Sequence, residues 1–231
     1  MRSLLGIVTR YVYRALFLYG ATPLRFGSTA LAVAHVALSM WILSAGKILG
    51  LAIATAGLVA IYAACGMARL PLYAGILASI PGAWMGLTTL ATQIASHSLN
   101  PLACLCVFAR YTMASLNALY LLHAANVTEL SYVLSKVSRE AALAPLAIAR
   151  MGVLVKEVAD MCEIHKLKGV PTSRTLAMAL VRSEEVAELM EEGLWVKSLR
   201  LEPKTLYSRK GLALQLALVL LDLVVAIAPL P

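Results

Sequence analysis

Two charged residues stand inside otherwise apolar stretches of this sequence, Arg110 and Asp222. A charge in hydrocarbon is costly, so such residues either pair or mark a functional site. Arg110 follows Pro101 by nine residues, and Asp222 precedes Leu230 by eight. At about 1.5 Å per helical residue both lie on the order of 12–13 Å from one face of a membrane, which predicts a buried ion pair between them. Cys162 and His165 are one helical turn apart with Asp160 nearby, a weak metal-ligand pattern without a second cluster. Cys65, Cys104 and Cys106 form neither a ligand spacing nor a disulfide framework. His35, His97 and His123 lie in or beside apolar runs and carry no assigned role. No Ser-His-Asp order, Gly-rich phosphate loop or HExxH occurs. No catalytic residue, metal site or cofactor is therefore expected.

The elements that would position Arg110 and Asp222 are apolar helices. The chain has 231 residues and is 61% hydrophobic, against about 45–50% apolar in soluble domains. Its acids are unevenly placed: none occurs before Glu129, and eleven of the twelve lie from Glu129 to Glu202. This pattern predicts an all-α, polytopic membrane protein with about five spans. The spans read as Ser28–Ser44, Ile48–Met67, Leu72–Ser96 with a kink at Pro81-Gly82, Pro101–His123 and Leu212–Leu230. Leu4–Tyr19, basic and aromatic, reads as an interfacial amphipathic helix. Residues 1–126 thus hold that helix and four spans, 127–210 a cytoplasmic helical segment, and 211–231 the last span.

Basic residues set the orientation. Arg2, Arg10, Arg14, Arg25 and Arg69 place the N-terminus in the cytoplasm and the C-terminus outside, with Lys47 as the exception. The net charge of +8 carries no basic stripe or binding module for nucleic acid. The bilayer is the partner that this charge placement fits.

The segment from Thr128 to Lys210 mixes thirteen basic residues with the eleven acids while keeping apolar residues at helical spacing. Pro145 suits a helix start, so one long helix is predicted from there to about Lys168. Pro171-Thr172-Ser173 stops and restarts the chain, with Thr172 or Ser173 as N-cap. A second helix is predicted from Thr175 to Glu192, ending near Gly193.

From Leu102 onward this order of parts resembles the transmembrane T component of energy-coupling factor (ECF) transporters, the cobalt-transport-type permease subunit. The run ARYTMASLNALYLLHAANVTELSYVLSKV is similar to the family's Arg-bearing span, Thr-containing loop and Leu-rich short helix, with Arg110 at the Arg position. RMGVLVKEVADMCEIHKLKG, opened by Arg150, is similar to the first coupling helix, and Leu167-Lys168-Gly169 stands where the family has Ala-Arg-Gly. LVRSEEVAELMEEGLW is similar to the second coupling helix, with Glu192-Gly193-Leu194 in place of the second Ala-Arg-Gly. One Arg is thus replaced by Lys and the other is missing.

The resemblance implies a non-catalytic scaffold and energy-coupling subunit of an ATP-driven importer for a vitamin or a transition metal ion such as cobalt. Its implied partners are two cytoplasmic ABC ATPases and a substrate-binding membrane S component. Lys166, Lys168, Gly169, Glu192, Gly193 and Leu194 are the implied ATPase-coupling residues, and Gly169 with Pro171 the implied hinge. The competing reading is a membrane-embedded enzyme acting on a lipid or prenyl substrate with acids as metal ligands. Such enzymes carry clustered Asp motifs, and this chain has only Asp160 and Asp222.

Overall fold

The computed structural model describes residues 4–16, 22–138, 141–198 and 206–229. Every regular element among them is helical: α1 (Leu4–Leu16), α2 (Thr29–Ser44), α3 (Ile48–Ala64), α4 (Leu70–Ala95), α5 (Pro101–Ala124), α6 (Val127–Ser135), α7 (Ala144–Leu167), α8 (Thr172–Ser198) and α9 (Arg209–Ile227). Short 3-10 turns occupy Pro23–Phe26 and Ala141–Leu143. The chain divides into two compact units, one from residues 19–126 and 207–231, the other from 1–18 and 127–206. The N-terminal helix therefore groups with the charged segment, because α1 packs on α7, and not with the apolar helices as the sequence reading had it. The last three residues of that expected helix, 17–19, and Leu230 at the end of the expected last span lie outside the described residues.

The apolar unit contains α2 to α5 and α9. By length and composition α4, α5 and α9 are able to cross a membrane. Of the five expected spans these three reach full length, whereas α2 has 16 residues and α3 has 17. At about 1.5 Å per residue they reach roughly 24–26 Å, short of a hydrocarbon core of about 30 Å. Both stop at capped turns. Lys47 N–H bonds the Ile42 carbonyl and Met67 N–H bonds the Tyr62 carbonyl, the long hydrogen bond of a Schellman motif. The second helix thus ends three residues before the expected Met67.

Two pairs of contacts fix how α2 lies on α9. Ser28 meets Gln215 and His35 meets Asp222, both separated by 187 residues, so the two helices run parallel in one register. The buried positions of α9 are Gly211, Gln215, Leu218, Asp222 and Val225, alternating steps of four and three as in a heptad seam. Leu24, Leu58, Tyr62, Tyr120 and Leu218 form the main apolar core. α4 packs along α5 and continues through Pro81. A side chain at Gly82 would overlap Thr112 and the Phe108 carbonyl, so this glycine sets how closely the two long helices approach.

The charged unit contains α1, α6, α7 and α8. α7 opens at Ala144 with Pro145 in its first turn, where a missing N–H is harmless. It closes on Gly169, whose φ of 69° suits the left-handed region. Gly169 N–H bonds the Lys166 carbonyl and Val170 N–H bonds the His165 carbonyl, completing another Schellman cap. α8 starts at Thr172, so Thr172 and Ser173 lie in its first turn, and the Pro171 carbonyl accepts the Thr175 N–H. α7 and α8 pack as a hairpin tied by Arg182, which bonds Glu185 at 2.9 Å and reaches Glu157 on α7 at 3.9 Å.

Candidate functional site

The polar interior of the apolar unit is where buried chemistry concentrates. On α2, His35 faces α9, and its Nδ1 lies 2.5 Å from Asp222 Oδ2. Both side chains are fully buried. The Tyr120 ring of α5 stands edge-on to the His35 ring at 5.0 Å, and Tyr62 of α3 stands edge-on to Tyr120 at 6.1 Å. The chain of contacts ends where the Tyr62 hydroxyl meets His123 Nδ1 at 2.6 Å. Below His35, the Gln215 Oε1 accepts the Ser28 N–H at 2.7 Å, and Asn126 fixes the start of α2 through Thr29 Oγ1 and the Gly27 carbonyl. On the other side, Asn117 Nδ2 bonds Thr55 Oγ1 at 2.8 Å and the Met113 carbonyl at 2.8 Å. Four helices, α2, α3, α5 and α9, therefore supply titratable groups to one sealed junction.

The predicted Arg110–Asp222 ion pair is corrected. Asp222 is bonded by His35, and the Arg110 guanidinium bonds the Leu43 carbonyl at the end of α2. The two partners are eight residues apart on α2, on the order of 12 Å along its axis. Counting inward from one common face fails because the helices differ in length. α5 has 24 residues and α2 only 16, so α5 extends beyond the end of its neighbour.

Arg110 is one of three cations used in the same manner. Lys47 Nζ bonds the Ala226 and Ala228 carbonyls, each at 2.7 Å, at the end of α9. Lys210 Nζ bonds the Ala64 carbonyl at the end of α3 at 3.4 Å. Helix C-termini expose unpaired carbonyls and a partial negative charge, so cations are favourable there. This explains Lys47, the exception to the charge rule, without assigning it to either side.

No family model, curated protein or solved structure matches this chain.

In the charged unit the resemblance-derived residues separate. Lys166 and Lys168 are exposed at the α7 end, beside the capped turn at Gly169 and Pro171. Glu192, Gly193 and Leu194 lie within α8, which continues to Ser198, so the expected helix end near Gly193 is corrected. An interior glycine lowers helix stability by only about 1 kcal/mol relative to Ala, too little to stop a helix by itself. The side chains of Thr172 and Leu194 lie outside those described. Cys162 is buried, and burial pushes its thiol above the usual range. Among the described residues no three of His, Cys, Asp and Glu gather as metal ligands.

On sequence alone His35 had no assigned role, and Tyr120 and Gln215 were not candidates. A signal for His35 and Gln215 was present: Ser28 to His35 and Gln215 to Asp222 are both intervals of seven, which keep polar residues on one seam of each helix.

Proposed function

We propose that this chain is the transmembrane scaffold and energy-coupling subunit of an ECF-type ATP-driven importer for a vitamin or a transition metal ion. The observation that carries the reading is a compact charged unit built on two long helices, α7 and α8. Their short junction presents Lys166 and Lys168 beside the Gly169 turn. The apolar helices make up the other unit, as a membrane scaffold requires.

In this reading the chain itself hydrolyses nothing, in keeping with a sequence that has no phosphate loop. Two cytoplasmic ABC ATPases dock on the α7–α8 hairpin, and a substrate-binding membrane subunit docks on the apolar helices. Closure of the ATPase pair shifts the hairpin, and the energy comes from differential contacts in two states. The short turn at Gly169-Val170-Pro171 is where the two helices change angle. All five apolar helices pass through or into the bilayer, with the N-terminus cytoplasmic and the C-terminus external. The two short helices α2 and α3 are accommodated by local thinning of the bilayer or by their neighbours.

The test is charge reversal at the α7 end. Lys168→Glu should lower ATPase association and uptake while leaving membrane insertion intact, and Lys166→Glu should do less. Normal assembly and uptake in the Lys168→Glu protein would remove this residue from the mechanism.

A further inference from the structure

We propose that His35 and Asp222 form an internal proton-binding site, holding one proton beyond that of a neutral imidazole facing a carboxylate. Three observations lead to it.

The first is charge balance. His35 is the side chain that bonds Asp222, and both are fully buried. Three cations of the apolar unit are engaged at helix ends: Arg110 on Leu43, Lys47 on Ala226 and Ala228, and Lys210 on Ala64. Arg25 lies in the Pro23–Phe26 turn, which packs on α9 at Gly211 and Gln215, about two turns before Asp222. The other titratable groups around the pair are Tyr120 and His123 on α5 and Tyr62 on α3, none of which brings a fixed positive charge. A neutral imidazole on an ionised Asp222 would leave a net negative charge in the apolar interior, which is strongly disfavoured. One added proton makes the pair neutral overall.

The second is enclosure. Asp222 Oδ1, His35 Nε2 and the Tyr120 hydroxyl are all inaccessible to solvent, so bulk water does not screen a charge held there.

The third is valence. With Nδ1 and Oδ2 joined, the two atoms able to carry the added proton are Nε2 and Oδ1, and neither has a hydrogen-bond partner among the described residues. The proton adds to one of these lone pairs as the bundle assembles. Imidazolium with carboxylate and imidazole with carboxylic acid are two forms of the same occupied site. Nothing in ATP-driven coupling requires such a site, so the inference stands apart from the function proposed above.

The experiment exploits composition. The chain has only two aspartates, Asp160 and Asp222, and four histidines. Selective labelling of the Asp carboxyl carbon and the His ring nitrogens in purified protein at neutral pH gives a spectrum small enough to assign. Asp222→Asn and His35→Gln identify the signals, and exposed Asp160 supplies the second aspartate signal for comparison. The expected result is a carboxylic-acid signal for Asp222 or an imidazolium signal for His35. An ionised Asp222 together with a neutral His35 would overturn the proposal.

Discussion

His35 Nδ1 and Asp222 Oδ2 approach to 2.5 Å in the sealed interior of the apolar unit, joining α2 to α9. Removing one member strands the other, and breaking a buried pair in this way costs about 3–5 kcal/mol. Replacing both by well-packed apolar residues removes the stranded group as well. Asp222→Leu and His35→Leu should each lower unfolding stability in detergent, and the double variant should be more stable than either. Strictly additive losses would show that the two do not act as a pair. The charge swap Arg110→Asp with Asp222→Arg should give no rescue, since those residues bond different partners.

Lys47 and Arg110 act on helix ends. Cations at a helix C-terminus contribute about 0.3–1 kcal/mol when exposed and up to about 2 kcal/mol when partly buried. Lys47→Met and Arg110→Met should therefore each reduce stability by about 1 kcal/mol, and their effects should add, because they cap different helices. Denaturant titration of the two singles and the double checks this. A gain in stability from Lys47→Met would contradict the capping role.

His97 sits in the left-handed region with φ of 52°, just after α4. Its N–H bonds the Ile94 carbonyl and Ser98 N–H bonds the Gln93 carbonyl, so it occupies the position usually given to glycine in a Schellman cap. That conformation costs an ordinary L-residue roughly 1–2 kcal/mol. His97→Gly should raise thermal stability by up to about 1 kcal/mol, and a loss of comparable size would show a contact of the imidazole that matters more.

Gly211, in the first turn of α9, lets that helix lie against the Pro23–Phe26 turn. A methyl group there would overlap the Pro23 carbonyl, a backbone atom with little freedom to retreat. Gly211→Ala should cost about 1–3 kcal/mol, the range for overpacking, although Ala favours helix elsewhere. An unchanged melting temperature would show that the turn yields.

Much of the helical layout was legible in the sequence, because apolar runs and proline or glycine punctuation carry it directly. Pro145 at the start of α7 and Gly169 at its end are examples. The length of α3 was less legible: Met67 continues the apolar run, yet its N–H turns back to Tyr62. The end of α8 was missed for the opposite reason, since Gly193 resembles a stop signal and a helix with favourable neighbours tolerates it. The buried junction was half visible. Asp222 stood out as a lone charge, but its partner is a histidine, neutral by formal count, whereas the formal cation Arg110 bonds a carbonyl. Formal charge identified the residue that needs a partner and gave no information on which helix seam supplies it.

The most direct test of the coupling account is what the chain holds when extracted intact from its native membrane. A mildly solubilised, affinity-purified protein should bring down a P-loop ATPase of the ABC type in stoichiometric amount, together with a second membrane protein. The complex should hydrolyse ATP, and Lys168→Glu should reduce the recovered ATPase. Recovery of the chain alone, with metal-dependent turnover of a lipid or prenyl substrate by that isolated chain, would contradict it.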